Sequence, residues 1–325
     1  MPDPEFIGAP PTQCEESRVM NLKSKRVQSA FIQSAGASFL VASLFLSGCI
    51  IRRTVVPANQ RPLPAQTRSF KDLLQDLEGC SRAIKTLRVA KVLFLPSEGA
   101  RKKGQITATR IAVPGFILVN RPNDIRIRLN LPLLGTTGAD MVSDGRQYKV
   151  WIPLSNKMYV GQADESVRVG KLDMQLPPPK DIANAMFVDI RPYINNLKYK
   201  LVPKQTTLGT HSYYVVTVID IEARDADGQV VEEIWVDRTN MEIVRQVVYG
   251  EEGLELTDTT FSGYQVSGDA PVPRVVTIYR PVEDVNLKIT FQSSPDTNAD
   301  IPADAFQLDP KGADVVEMPG QSAVP

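Results

Sequence analysis

The chain has 325 residues, and its 37 basic and 37 acidic side chains give a formal net charge of zero at pH 7. This balance argues against a nucleic-acid partner, because phosphates demand a basic surface, and against electrostatic attachment to a membrane. With three cysteines and one histidine, the chain has few of the residues that form disulfides, metal sites or histidine-centred catalytic pairs.

Residues 20–48 follow the pattern of a bacterial secretory leader. Three basic residues between 23 and 26 supply the n-region, and residues 31–45 supply a short apolar h-region. Residues 1–19 are acidic and contain prolines instead. We therefore take Met20 as the start of translation, expect residues 1–19 to lie upstream of it, and interpret residues 20–48 as a signal peptide.

The leader closes on Leu46, Ser47, Gly48 and Cys49. These four residues resemble the lipobox of bacterial lipoproteins, and the resemblance implies covalent diacylglyceryl and N-acyl groups on Cys49; no other cofactor is expected. The alternative is a transmembrane helix that ends in an ordinary cysteine. The apolar run is short for a span of about 20 residues and is interrupted by polar residues, so we predict cleavage before Cys49.

The anchor of the mature chain must come from its acyl chains. Removing residues 1–48 takes away equal numbers of acidic and basic residues, so the mature chain also has no net charge, and two or more acyl chains hold a protein stably on a bilayer. Ile50, rather than aspartate, follows Cys49, and by the same resemblance this implies the outer membrane, with the domain facing the periplasm.

Residues 49–68 contain prolines among polar residues, which predicts an extended, lipid-anchored tether. Ser69 followed by Asp72 matches a capping box, and apolar residues then recur at helical spacing as far as Leu87, which predicts an amphipathic helix.

Cys80 falls near the apolar stripe of this predicted helix. Cys14 lies upstream of the mature chain and Cys49 is acylated, so Cys80 has no partner for a disulfide. As a small residue on an apolar face, we expect Cys80 in the core rather than as a nucleophile.

From residue 89 the pattern changes to the two-residue alternation of strands. Ile125, Ile127, Leu129 and Leu131 alternate with Arg126 and Arg128, which predicts a strand with one buried face and two arginines facing water. Residues 181–188 predict a short helix, further strands follow up to residue 292, and residues 310–325 read as a disordered tail. About ten or eleven strands with two or three helices indicate an antiparallel, β-dominated α+β domain.

Four segments strengthen a family resemblance: residues 131–145, 231–237, 241–245 and 301–308. With the order of elements, they resemble the lipoprotein carriers of the Gram-negative envelope, of the LolA/LolB type, over roughly residues 69–309. The resemblance implies a curved antiparallel sheet that forms a half-open β-barrel, with an N-terminal amphipathic helix and short lid helices over an apolar groove that holds acyl chains.

The resemblance also suggests site residues. Ile125, Ile127, Leu129 and Leu131 would line the apolar groove, and a loop with Leu133 and Leu134 would meet membrane or cargo. From the residues themselves, a position tucked beneath the domain is favoured, and with the resemblance the two positions are equally favoured.

The sequence offers little chemistry. His211 stands at a predicted strand start, Asp225, Asp227 and Gly228 fit a hairpin turn better than a calcium loop, and the neighbours Glu232 and Glu233 would point to opposite faces of a strand. We predict no catalytic residues and no metal site.

We therefore predict a protein that binds acyl chains of lipids or lipidated proteins at the outer membrane. The alternative is a structural or docking lipoprotein within an envelope assembly, whose other subunits would be its partners. An envelope enzyme is a third, less favoured hypothesis, since the site residues of an enzyme are missing.

Overall fold

The computed structural model describes residues 63–98, 108–109, 111–169, 174–223, 228–268 and 270–318. The predicted signal peptide, the lipobox residues, Cys49 and most of the predicted tether lie outside these ranges. Within them, no helix is long and apolar enough to cross a membrane.

Two α-helices occur in the described residues, α1 (Phe70–Ala83) and α2 (Pro179–Met186). The Ser69 hydroxyl accepts a hydrogen bond from the backbone N–H of Asp72 at 3.2 Å, which confirms the predicted cap of α1. The helix ends earlier than predicted, because Ile84 and Leu87 belong to the turn and strand that follow. Both are buried, so buried apolar residues continue at helical spacing beyond the end of α1.

Strands make up most of the described chain. In chain order they are β1 (Thr86–Glu98), β2 (Ala108–Thr109), β3 (Val113–Asn120), β4 (Asp124–Asn130), β5 (Thr137–Ser143), β6 (Gln147–Ile152), β7 (Lys157–Gln162), β8 (Val167–Val169), β9 (Met174–Leu176), β10 (Tyr199–Leu208), β11 (His211–Asp220), β12 (Gln229–Asp237), β13 (Ile243–Tyr249), β14 (Glu255–Ser262), β15 (Gln265–Ser267), β16 (Ala270–Val272), β17 (Val275–Arg280), β18 (Val285–Phe291), β19 (Asp296–Thr297) and β20 (Asp314–Glu317). Short 3-10 turns lie at Pro153–Ser155, Glu251–Gly253 and Ala303–Phe306.

Most of the strands form one curved, open sheet of 16 strands, in the order β10-β11-β12-β13-β14-β17-β18-β1-β3-β4-β5-β6-β7-β20, with β2 and β19 paired to β1. Its pairings are antiparallel except for that of β20 with β7, which is parallel. The strand number exceeds the ten or eleven predicted, because most of the additional strands have only two to four residues, too few to show a two-residue period. Of the predicted lid helices, the described chain contains one short helix, α2.

One face of the sheet, which we term the inner face, carries the apolar core and both helices. Residues of α2 pack with side chains from the strands at the centre of the sheet, among them β1, β3, β4, β17 and β18. Leu73 and Leu77 of α1 pack with residues of β11 and β12, such as Val216 and Ile234.

The alternation predicted for β4 is confirmed on the inner face, where Ile125, Ile127 and Leu129 are buried. On the opposite, outer face the prediction that Arg126 and Arg128 face water is wrong. Both guanidinium groups lie 2.8 Å from the carboxylate of Asp140 on β5, which is 2% exposed.

The C-terminal segment covers this part of the outer face. Arg126 donates a hydrogen bond to the carbonyl of Ala305 at 2.7 Å, and Asp314–Glu317 pairs with β7 as β20. The predicted disordered tail is therefore wrong for its described part. The glycine and proline residues of this segment lie on both sides of Asp314–Glu317, the four residues of β20. These four residues pair with the edge strand β7. The backbone groups of an edge strand can accept a partner of almost any sequence.

Candidate functional site

An apolar cleft of about 80 Å³ lies on the inner face, beside α1. Three structural groups form its walls: α1, the segment that follows α2, and the strand ends and hairpin around β12–β16. The lining residues are Leu73, Asp76, Leu77, Cys80, Ile84, Arg121, Met186, Phe187, Val188, Val236, Met241, Glu242, Ile243, Phe261, Tyr264, Pro271, Val272 and Pro273.

Buried hydroxyl groups hold the walls of this cleft in place. Ser81 of α1 donates to the carbonyl of Leu77 at 2.9 Å and lies 3.1 Å from the carbonyl of Val188, so it joins the helix to the segment after α2. On the other wall, Tyr264 donates to the carbonyl of Ile243 at 2.7 Å. Burial raises the pKa of Tyr264, so this phenol stays protonated and can keep donating.

Cys80 is exposed at the mouth of the cleft, so the expectation that it belongs to the core is wrong. One turn earlier Leu77 takes the buried position on α1, and this orientation turns Cys80 toward the cleft rather than the sheet. The adjoining cleft wall still desolvates the sulfur and, together with Asp76, raises the pKa of the Cys80 thiol. The group is therefore a weak nucleophile at neutral pH.

A second, more polar pocket of about 290 Å³ shares Arg121 and Phe187 with the apolar cleft. Two carboxyl groups line it, Asp189 and Glu232 of β12, and Glu232 is 4% exposed. Tyr193 and Gln246 donate hydrogen bonds to the two carboxyl oxygens of Glu232, each at 2.7 Å. Burial raises the pKa of Glu232, because a carboxylate loses water there without gaining a cation.

Glu232 was not predicted as a site residue. Its alternation with Glu233 is as expected: Glu232 is buried on the inner face, whereas Glu233 is half-buried on the other face and accepts from the indole N–H of Trp235 at 3.3 Å. Only the apolar residues on both sides of Glu232 in β12 could have signalled its burial.

Arg121 stands between the two cavities. It donates to the carbonyl of Ser81 at 2.7 Å and to Asp189 at 3.1 Å, and its guanidinium carbon lies 4.6 Å from the centre of the Phe187 ring. Its Nε is buried and has no hydrogen-bond partner among the described residues. Burial lowers the pKa of Arg121, although the group stays cationic, as arginine does in proteins.

The residues suggested for the apolar groove lie elsewhere on the inner face. Ile125, Ile127 and Leu129 are sealed in the core with the apolar residues of α2, and Leu131 is half-buried just beyond the end of β4. None of these four residues lines either of the two cavities described above.

Leu133 and Leu134 are exposed, with relative accessibilities of 106% and 71% for the whole residues. They occupy the turn after β4, which is closed by a hydrogen bond from the N–H of Leu131 to the carbonyl of Thr136 at 2.8 Å. The sequence allowed these leucines to be either tucked beneath the domain or held outward, and in the structure they are held outward.

Of the remaining candidates, the structure describes His211 and Gly228. His211 Nδ1 lies 2.9 Å from a carboxylate oxygen of Asp237, which is an ordinary pair at a strand end. Asp225 and Asp227 lie outside the described residues, and Gly228 has a φ of 77°, as a hairpin turn requires. Within the described ranges, no three His, Cys, Asp or Glu side chains are placed to hold a metal ion.

Known proteins were compared with the chain at the levels of sequence and structure. No family model and no curated protein matches the sequence. A LolA superfamily protein from Nitrosomonas europaea is similar in structure, with 12% identity and a TM-score of 0.46 over 74% of this chain and 99% of that one.

Two further solved structures are similar to a comparable extent. A putative outer membrane lipoprotein-sorting protein domain from Vibrio parahaemolyticus has 10% identity and a TM-score of 0.45, over 72% of this chain and 94% of that one. A DUF1329 family protein from Desulfovibrio piger has 12% identity and a TM-score of 0.43, over 73% and 95%. The LolA superfamily and lipoprotein-sorting structures belong to the class that the sequence resembles.

Proposed function

We propose that this chain is an outer-membrane lipoprotein that binds an acyl chain, from a lipid or a lipidated protein, in the apolar cleft beside α1. In this proposal the curved open sheet functions as a half-open barrel and the two helices as its lid. The protein faces the periplasm, acts by binding rather than catalysis, and carries no cofactor besides the acyl groups on Cys49.

The apolar cleft is the observation that carries this proposal. Its walls are mostly apolar side chains, while its polar groups come from exposed or half-buried positions, namely Asp76, Cys80, Arg121, Glu242 and Tyr264. Each methylene group that leaves water for such walls contributes about 0.8 kcal/mol. An acyl chain is the common envelope ligand that supplies methylene groups in a row.

The size of the cleft sets a limit on how much of a chain it holds. A water-sized group needs about 10–15 Å³ of this kind of volume, so about 80 Å³ takes on the order of six methylene groups. A longer chain requires α1 to move outward. Ser81 and Arg121 join α1 to the segment 188–190, so their hydrogen bonds would resist that movement.

The described residues also support binding over catalysis. His211 is paired with Asp237 at 2.9 Å, the raised pKa of Cys80 keeps its thiol protonated, and both oxygens of Glu232 are occupied by internal donors. The exposed pair Leu133 and Leu134 suits contact with membrane or cargo.

Lipid analysis of the full chain tests the proposal. The protein is purified from membranes, its non-covalent lipids are extracted and quantified by mass spectrometry, and native mass spectrometry records any bound protein. Cys80→Trp places a bulky ring at the cleft mouth, and Gln75→Trp, at an exposed position of α1 away from the cleft, is the matched control.

We expect about one lipid per chain in the wild type and in Gln75→Trp, and several-fold less in Cys80→Trp. Lipid content that is the same in all three proteins, or a stoichiometric protein partner without lipid, would overturn the proposal in favour of a docking role.

The membrane anchor has its own test. Cys49→Ala removes the attachment atom, so we expect an unprocessed precursor that fractionates poorly with the outer membrane. If the mature size and the fractionation equal those of the wild type, the anchor assignment is wrong.

A further inference from the structure

The strand directions in the main sheet place each connection between strands at one of the two ends of the sheet. β1 runs toward Glu98, and its neighbours β3 and β18 run the opposite way, so successive connections alternate between the ends. We define the rim as the end at which β1 finishes. It consists of the connections after β4, β6, β11, β13 and β17, together with the residues directly before β3 and β10.

On one half of the sheet, each segment of the rim presents a large apolar side chain to solvent. Leu197 precedes β10, Ile221 follows β11, Leu254 lies between β13 and β14, and Val282 lies between β17 and β18. All four are more than half exposed.

The other half of the rim repeats this pattern. Ile111 precedes β3, Leu133 and Leu134 follow β4, and Leu154 follows β6, with exposures between 67% and 106%. Leu133 has a φ of 72°, a backbone conformation that non-glycine residues rarely adopt, and its side chain is fully exposed. The loop of Leu133 and Leu134 is therefore one of seven rim segments that each present a large apolar side chain to solvent.

Most described connections at the opposite end of the sheet lack this feature. Among the described residues, its exposed large apolar side chains are Leu208, Val266 and the nearby Leu63. Its turns are closed by polar groups instead. In the turn between β5 and β6, for example, Asp144 accepts from the backbone N–H groups of Arg146 and Gln147.

Two ion pairs lie beside the rim, together with the exposed carboxylates of Glu222, Glu251 and Glu252. Lys198 lies 3.1 Å from Asp220, between the segments of Leu197 and Ile221. Arg280 lies 2.7 Å from Glu283, on the two sides of Val282. Apolar side chains among ion pairs and exposed carboxylates suit an electrically neutral partner better than an anionic one.

The spacing of the rim favours a bilayer over a protein partner. Neighbouring strands are about 4.8 Å apart, so successive connections of the rim stand roughly 10 Å apart. A lipid interface accepts separate apolar side chains without shape complementarity, whereas protein interfaces bury a contiguous apolar core.

The length of the tether permits contact with the anchoring membrane. The described chain begins at Leu63, whose N–H donates to the carbonyl of Thr210 at 2.9 Å, at the end opposite the rim. The strand β10 spans 10 residues, or roughly 33 Å. The 14 residues from Cys49 to Leu63 reach at most roughly 50 Å, so they can pass the length of the sheet.

We infer that the rim is a membrane-docking surface, which rests on the bilayer that holds the anchor of the same chain. The inference uses the anchor of the proposed function but not the acyl-binding cleft. Docking through apolar tips should not require anionic lipid, in contrast to a polybasic attachment.

Collisional quenching by lipid tests this surface in the full chain. The protein is reconstituted into phosphatidylcholine vesicles with brominated acyl chains, and vesicle flotation is recorded as a separate measure of anchoring. Leu154→Trp and Val282→Trp report from the rim, while Leu208→Trp and Val266→Trp are matched exposed positions at the opposite end. Trp151 and Trp235 are common to all variants, so the increment over the parent is compared.

We expect brominated lipid to quench the rim tryptophans at least twofold more strongly than the control tryptophans. If the protein floats with the vesicles but quenching at the rim equals or falls below that at the opposite end, the inference is overturned while the anchor stands. Failure to float overturns both, since neither anchor nor rim then holds the membrane.

Discussion

The two faces of β4 bury their side chains by opposite means. On the inner face, Ile125, Ile127 and Leu129 lie in an apolar core with α2. On the outer face, Arg126 and Arg128 converge on Asp140 beneath the C-terminal segment. The inner face depends on excluding water from apolar groups, and the outer face on satisfying charge, so the two faces should respond differently to the same kind of substitution.

The largest expected effect is a charge placed on the inner face. Ile127→Asp buries a carboxylate with no cationic partner and removes apolar contacts, so we expect a loss of at least about 3–5 kcal/mol in the free energy of unfolding. Ile111→Asp, at an exposed isoleucine, is the control and should change stability by about 0.5 kcal/mol or less. Equal denaturation midpoints for the two variants would mean that this face is not the core.

Removing the carboxylate from the outer face should come next. Asp140→Asn leaves two arginines without their shared partner, and we expect a loss of about 3 kcal/mol, near the low end for a broken buried ion pair, since both arginines keep some access to water. Asp296→Asn removes the carboxylate from the exposed pair with Arg88 and should cost at most about 1 kcal/mol. Urea denaturation of both variants measures the difference, and similar losses would contradict the buried pair.

Glu232 is a buried carboxyl group on the otherwise apolar inner face, and its effect on stability should depend on pH. Because its folded pKa is raised above the ordinary value of 4.5, the folded state binds this proton more tightly than the unfolded state does. The stability from this group is therefore present below pH 4.5 and is lost as pH rises through the folded pKa. Glu232→Gln should flatten that decline in denaturation midpoints relative to the wild type. An unaltered slope in Glu232→Gln would show that Glu232 does not titrate this way.

The smallest effect on stability is expected where neither face is involved. Leu133 and Leu134 are exposed at a turn, so replacing both with glutamate should change the free energy of unfolding by about 0.5 kcal/mol or less. The same change should weaken the binding of the soluble domain, which lacks the acyl anchor, to vesicles or cargo, as measured by vesicle flotation. Unfolding of the double variant would place these leucines in the core and remove them from the functional surface.

Local rules predicted the parts of the fold that depend on neighbouring residues. The cap at Ser69 and the alternation of β4 follow from hydrogen bonding and side-chain direction within a few residues. The end of α1 was not predicted because Ile84 and Leu87 are buried although they lie beyond the helix. The spacing of apolar residues therefore could not distinguish helix from strand at this point. The short strands, such as β20, are specified by pairing with a distant strand rather than by their own sequence.

The candidate site was harder to predict for the same reason. The cleft combines α1 with residues more than 150 positions away, such as Met241 and Tyr264, and no local pattern shows that they meet. Glu232 resembles any polar residue in a strand, since carboxylates are rarely buried. Cys80 was misplaced because a rotation of about one residue about the helix axis decides between core and cleft mouth.

The most direct test asks whether an acyl chain enters the cleft beside α1. A diazirine-bearing palmitate analogue is irradiated with the full chain, and labelled peptides are mapped by mass spectrometry in the wild type, Cys80→Trp and Gln75→Trp. We predict labelling in α1 and around Met241–Ile243 and Tyr264, with several-fold less in Cys80→Trp and no loss in Gln75→Trp. Labelling confined to the outer face or the rim, or equally strong in Cys80→Trp, would contradict acyl binding at this site.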